Sequence, residues 1–206
     1  LAIGAGQYVL DCATRAVEAT GRFTIALSGG KSPAAMFEFL AHHAMPWSRT
    51  VIYQVDERVV APTDPARNVL MLRQAFAAVP ADIRAMPVDD SDLQGAAARY
   101  GGELPEFFDL VHLGLGPDGH TASLAPNDPV LEVYDRPVAL TDPYLGHRRM
   151  TLTYPTLNRA HQLLWLVSGD DKRHALDMLL RNDPSIPAGR VQSVASIIMS
   201  SVAASA

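Results

Sequence analysis

Phe108–Pro126 reads FDLVHLGLGPDGHTASLAP, and the fold turns on it. It opens on an apolar run, Leu110, Val111, His112, Leu113 and Leu115, with the length and bulk of a buried strand. The run breaks into Gly114, Gly116, Pro117 and Gly119, which predicts a tight turn where the backbone comes close to something. Asp118 and His120 sit inside that turn, flanked by Thr121 and Ser123. An acid and an imidazole two residues apart, at the carboxyl end of a buried strand, stand where open α/β sheets carry their chemistry. The plainer alternative is a polar strand-to-helix cap, with Asp118 capping amides and His120 turned to solvent. Gly114, Gly116 and Gly119 also match G-x-G-x-x-G. A dinucleotide turn, however, sets pyrophosphate against free helix amides. Pro117 has no N–H, and Asp118 would put negative charge beside the phosphates, so that reading is disfavoured.

Upstream, the apolar strand Phe23–Leu27 runs into Ser28-Gly29-Gly30-Lys31-Ser32-Pro33. Two glycines let backbone amides turn towards an anion. Ser32 reads as the N-cap and Pro33 as the first position of the next helix, whose dipole adds positive potential. Lys31 adds a charge, and together these make a phosphate cradle; an ordinary capped helix is the alternative. It is not a Walker A loop, because the glycine that pattern requires is replaced by Ile25. A second strand, Val51–Val55, ends in Asp56-Glu57-Arg58, charges that fall on the same sheet edge if the strands are parallel. Arg58 could fork onto a phosphate or carboxylate, and Asn68 opens the next helix. Arg149 and Lys172 gain weight only if the fold brings them to the same rim. His42 and His43 are adjacent and cannot share one metal. His112 reads as core, and His147, His161 and His174 have no partners at ligand spacing, so no metal site is predicted.

The remaining elements alternate. Helices are predicted over 2–20, 34–43, 68–77, 91–101 and 171–181, and further strands over Val138–Leu140, Met150–Thr153 and Leu163–Val167. Residues 80–90 read as irregular. The alternation argues a doubly wound, mostly parallel α/β sheet, and no linker divides residues 1–206. The chain has 206 residues, 48% of them hydrophobic, enough for one full core. A net charge of −5 weighs against a nucleic-acid surface. The single cysteine, Cys12, excludes an intrachain disulfide and suits a cytoplasmic setting. No apolar run has membrane-spanning length, and no signal segment is visible. The start at Leu1 reads as an incomplete N-terminus, and the final SSVAASA reads as a fraying tail.

Five segments then agree, in order, with one family: FTIALSGGKSP, VDERVVAPTDPARNVLM, FDLVHLGLGPDGHTASLAP, RMTLTYPTLNRA and LVSGDDKRHAL. Over roughly residues 2–191 the chain resembles the 6-phosphogluconolactonases of the glucosamine-6-phosphate isomerase/6-phosphogluconolactonase family. The resemblance implies a Rossmann-like sheet with a small appended region, as in glucosamine-6-phosphate deaminase and ribose-5-phosphate isomerase A. It implies hydrolysis of 6-phosphogluconolactone in the oxidative pentose phosphate pathway, without metal or cofactor. Carried over by position, His120 is the catalytic base and Asp118 its catalytic neighbour. Ser28, Gly29, Gly30, Lys31 and Ser32 form the phosphate loop. Asp56, Arg58, Asn68, Gly119, Thr121, Arg149 and Lys172 complete the substrate-binding set. The expected partner is a small sugar-phosphate lactone, with no nucleic acid and no membrane, and the chain acts as monomer or homodimer. Three departures stand out: LAPNDP after the central segment, a tail without the usual tryptophan and aspartate, and the missing first strand. The rivals are a sugar-phosphate deaminase or isomerase of the same superfamily, and a sugar-phosphate-binding regulator without activity.

Overall fold

The structure, a computed structural model, describes residues 1–202. In chain order its helices are α1 (Ala2–Thr20), α2 (Ala34–Ala41), α3 (Asn68–Ala75), α4 (Leu93–Glu103), α5 (Tyr154–Leu157) and α6 (Arg173–Leu180). Its strands are β1 (Phe23–Leu27), β2 (Thr50–Gln54), β3 (Asp56–Arg58), β4 (Asp82–Arg84), β5 (Leu110–Leu113), β6 (Val138–Leu140), β7 (Arg149–Leu152), β8 (Leu163–Val167) and β9 (Ser196–Ser200).

The main sheet runs β4-β2-β1-β5-β8-β9, every neighbouring pair parallel. Counted along the chain, its strands therefore lie in the order 3-2-1-4-5-6, and the direction of winding switches between β1 and β5. Loops leaving the carboxyl ends of those two strands flank the crevice where such sheets bind ligands. Strands β1, β5 and β8 are buried at every position, because both faces of the sheet are covered. On one face Phe23, Ile25, Leu27, Leu110 and Leu164 pack with Val9, Phe37 and Leu72 of α1, α2 and α3. On the other, Ala26, Val111, Leu113 and Trp165 pack with Tyr100 of α4, Leu176 of α6 and Met150 of the smaller sheet. Gly21, at φ +80°, ends α1 by donating its N–H to Val17, as only a residue without Cβ does cheaply.

The appended region is a smaller antiparallel sheet, β3-β7-β6. The chain passes between the two sheets at Val55. Its N–H bonds the Leu27 carbonyl of the main sheet, and its carbonyl accepts from the Leu152 N–H of the smaller one.

The sequence expectations need correction at three places. Residues 80–90 are not wholly irregular, since Asp82–Arg84 form edge strand β4. Asp56-Glu57-Arg58, read as the charged end of the second strand, is a separate strand, β3, paired with Arg149–Thr151. The tail segment Ser196–Ser200, to which no element was assigned, is β9, paired along its whole length with β8. The tail expected to fray begins at Ser200 inside this strand, Val202 is buried, and residues 203–206 lie outside the described residues. Predicted helices 34–43, 68–77 and 171–181 end sooner or start later than expected by one or two residues.

Candidate active site

The turn after β5 is closed by backbone bonds. The Gly116 N–H donates to His120 O at 2.9 Å, and the Gly119 N–H donates to Gly116 O at 3.0 Å. Gly119 takes φ +81°, and a Cβ there would lie 2.5 Å from Ile186 Cβ. A Cβ on Gly116 would fall 2.0 Å from His120 Nδ1 and 2.8 Å from Asp118 Oδ1, so the His–Asp couple rests on a bare backbone. Thr121 Oγ1 donates to Gly114 O at 2.8 Å and ties the turn back to the strand end. Asp118 Oδ1 is 2.6 Å from His120 Nδ1. An ionised carboxylate only accepts, so Nδ1 carries the proton and the lone pair stands on Nε2. Partial burial works against the Asp118 charge. Hydrogen bonds from Tyr144 and His120 outweigh it and hold the carboxyl below its ordinary value.

The loop after β1 forms the second wall. Ser28 is buried, and its hydroxyl donates to His112 O at 2.9 Å, joining β1 to β5 across the switch point. Gly30 takes φ +105°. A Cβ on Gly29 would meet Asn68 Oδ1 at 1.9 Å, so this glycine makes room for the asparagine. Lys31 is exposed at the lip. Ser32 does not cap α2 as expected. The helix starts at Ala34 after Pro33 without a side-chain cap, and Ser32 Oγ pairs with Ser168 Oγ at 2.7 Å across the mouth of β8.

The third wall comes from β3 and the start of α3. Asn68 Nδ2 donates to Asp56 O at 2.9 Å, and Arg58 Nη1 donates to Asn68 Oδ1 at 2.6 Å and Ala66 O at 2.9 Å. Ser123 Oγ donates to Asp56 Oδ2 at 2.5 Å. Complete burial pushes the Asp56 carboxyl up, with Arg58 and the Ser123 hydroxyl pulling the other way. Behind it Glu57, fully buried, accepts from the N–H groups of Asn68 and Val69 at 2.7 and 2.8 Å. A carboxylate from another sheet thus caps α3, whose own preceding residue, Arg67, offers no side-chain cap.

These walls enclose an open cleft of about 240 Å³. Of the residues singled out in the sequence, the Ser28–Ser32 loop, Asp56, Arg58, Asn68, His120, Thr121 and Lys172 line it. Asp118 stands behind His120, and Gly119 shapes the turn without lining the cleft. Arg149 is not on the cleft wall either. Its guanidinium bonds the carbonyls of Tyr144 and His147 and lies 5.2 Å from the Tyr144 ring centroid. The expectation missed three contributors. His112, read as core, is indeed buried yet also lines the cleft, and Leu166 joins it from β8. Tyr144 reaches the couple from the β6–β7 connection, with Oη 2.7 Å from Asp118 Oδ2. No motif marks Tyr144, because only the fold brings it there. Among the described residues no group of three His, Cys, Asp or Glu side chains is placed to hold a metal ion.

Fold and site together define a class: a doubly wound α/β protein with a glycine-containing loop after β1 and a His–Asp couple after β5, both at the cleft by the switch point. The chain belongs to the family described as glucosamine-6-phosphate isomerases/6-phosphogluconolactonase, which it matches over residues 1–199. It is 41% identical over 177 residues to a 6-phosphogluconolactonase of Synechocystis, covering 79% of this chain and 73% of that one. Its structure resembles that of a 6-phosphogluconolactonase from Shewanella baltica, with TM-score 0.87 and 25% identity, covering 96% of this chain and 91% of the other. It also resembles that of a 6-phosphogluconolactonase from Thermotoga maritima, with TM-score 0.84 and 26% identity, covering 96% and 95%.

Proposed function

We propose that this chain hydrolyses 6-phospho-D-glucono-1,5-lactone to 6-phosphogluconate in the oxidative pentose phosphate pathway, with His120 as the base that activates water. The observation that carries the reading is the Asp118–His120 couple, with Nε2 free, on the lip of a cleft whose opposite wall is the Ser28–Ser32 loop. The phosphate rests on the amides of that loop and the start of α2, with Lys31, Arg58 and Lys172 supplying positive charge. Nε2 takes a proton from water as its oxygen attacks the lactone carbonyl. The tetrahedral intermediate collapses by breaking the bond to the ring oxygen, which receives the proton back from the imidazolium. Asp118 keeps the ring in the productive tautomer. No cofactor or metal enters this scheme. A cytoplasmic monomer or homodimer, acting on a small molecule without nucleic acid or membrane, completes the reading. The single thiol of Cys12 and the net charge of −5 agree with it, and no described helix is long and apolar enough to cross a membrane.

The deaminase alternative is disfavoured at Ala125. Deaminases resembling DGHIAFNEP carry a glutamate in that place, which supports ring opening, and a methyl group cannot hold a proton. Ala125 is buried here. The test adds purified protein to freshly generated 6-phosphogluconolactone and follows acid release against the spontaneous rate. Accelerated acid release, with no ammonia from glucosamine 6-phosphate, is the expected result. Ammonia release at a comparable rate would move the chain to the deaminase branch.

A further inference from the structure

The hairpin joining β6 to β7 ends in a two-residue turn. Tyr144 and His147 exchange backbone bonds at 3.0 and 3.2 Å, with Leu145 at φ +49° and Gly146 at φ +82° between them. Two positive φ values in sequence give the tight turn whose twist suits a hairpin. Arg149, buried at the base of β7, grips this tip through the Tyr144 and His147 carbonyls and lies against the Tyr144 ring. The tyrosine is thereby aimed at the turn after β5. Its Oη lies 2.7 Å from Asp118 Oδ2 and 3.2 Å from His120 Nδ1, and its ring meets the imidazole edge-on at 5.3 Å. Asp118 is held at both oxygens, Oδ1 by His120 and Oδ2 by Tyr144. With one oxygen released, a carboxylate this exposed can rotate towards water and let the imidazole turn with it.

We propose that Tyr144 is a positioning residue for the reaction: its O–H locks Asp118, and through Asp118 fixes the His120 ring, so the smaller sheet completes a couple whose two members lie in the turn after β5. Burial, reinforced by the Asp118 charge, pushes the Tyr144 phenol up to about 12, which keeps it a donor throughout the working range. The inference rests on the reading of His120 as the base.

The test is Tyr144→Phe, which removes one hydroxyl and keeps the ring over Arg149. The expected outcome is a kcat lower by about tenfold, with KM for the lactone and inhibition by 6-phosphogluconate unchanged within twofold. In an Asp118→Ala background, which removes both acceptor oxygens, the same change should cost nothing further, since the two act through one bond. A second readout needs no turnover: the proton on His120 Nδ1, followed by NMR, should be protected from exchange in the parent and lose that protection in Tyr144→Phe. Wild-type protein in the same lactone assay separates failures. A parent that does not hydrolyse the lactone overturns the proposed function, while the NMR readout still decides the role of Tyr144. An unchanged kcat with unchanged Nδ1 protection would overturn the inference. So would a raised KM at constant kcat, or a full loss retained on top of Asp118→Ala.

Discussion

At the scale of single residues, the site depends on what is left out as much as on what is present. Gly116 is the plainest case, because the imidazole and carboxylate occupy the space a side chain would fill. Gly116→Ala should push the His120 ring off its position and lower kcat by about a hundredfold, the cost of misplacing a reacting group by roughly 1 Å. On the proposed mechanism His120→Ala removes the base, with an expected loss of about 10²–10⁴, while 6-phosphogluconate binding through the Ser28–Ser32 loop is retained. Steady-state kinetics beside a binding titration check both variants. Loss of ligand binding in His120→Ala would place the histidine in recognition instead. The sequence displayed this turn openly, since three glycines, an acid and a histidine within seven positions have few other uses. Tyr144 and Arg149 were not legible in that way. Tyr144 sits in no marked motif, and Arg149, though it opens RMTLTYPTLNRA and was singled out for substrate, instead grips the Tyr144 hairpin, a role that depends on β7 pairing with β3, some ninety residues earlier in the chain.

At the scale of elements, α3 illustrates capping from outside. Glu57 on β3 accepts from Asn68 N–H, Val69 N–H, Arg58 N–H and Gln54 Nε2, and faces Arg67 Nε at 3.3 Å. Glu57→Ala would strand these buried donors and leave Arg67 without its counter-charge. A loss of about 3–5 kcal/mol in unfolding free energy is expected, with Glu57→Gln costing clearly less because an amide oxygen still accepts. Denaturant unfolding measures both, and equal losses would show that packing, not capping, governs the site. The same element shows the limit of reading a sequence. Three charges after an apolar strand read as a strand end on the sheet's carboxyl edge, yet Asp56 and Glu57 are buried because β3 has already left the main sheet. β4 and β9 escaped for a related reason. Both are edge strands with partly exposed faces; β4 has a single apolar residue between charges, and the apolar Ile197–Met199 of β9 is only three residues long between serines.

At the scale of the whole molecule, His112 links the interior to pH. Its ring lies among Leu27 and Leu164 of the neighbouring strands and edge-on to Phe37 at 6.2 Å, and neither ring nitrogen meets a hydrogen-bond partner among the described residues. Burial holds the imidazole down to about 4. An unfolded histidine titrates near ~6.5, so between these values the unfolded chain takes a proton that the folded chain refuses. Stability is therefore full above ~6.5 and falls as the pH drops towards 4, by on the order of 3 kcal/mol in total from this group. His112→Leu should narrow the difference in unfolding free energy between pH 8 and pH 5 relative to the parent. An unchanged difference would mean that the ring finds a proton or a partner in the fold. The passage of the chain through Val55 has a different consequence. The Ser28–Ser32 loop hangs from the main sheet and the Tyr144 hairpin from the smaller one, so the cleft is assembled from two separately paired ladders. Leu145, exposed at 72% and at φ +49°, can pass to Asn or Gly without loosening the turn that aims Tyr144. A sequence change in one sheet therefore alters one wall of the cleft and leaves the pairing of the other sheet untouched.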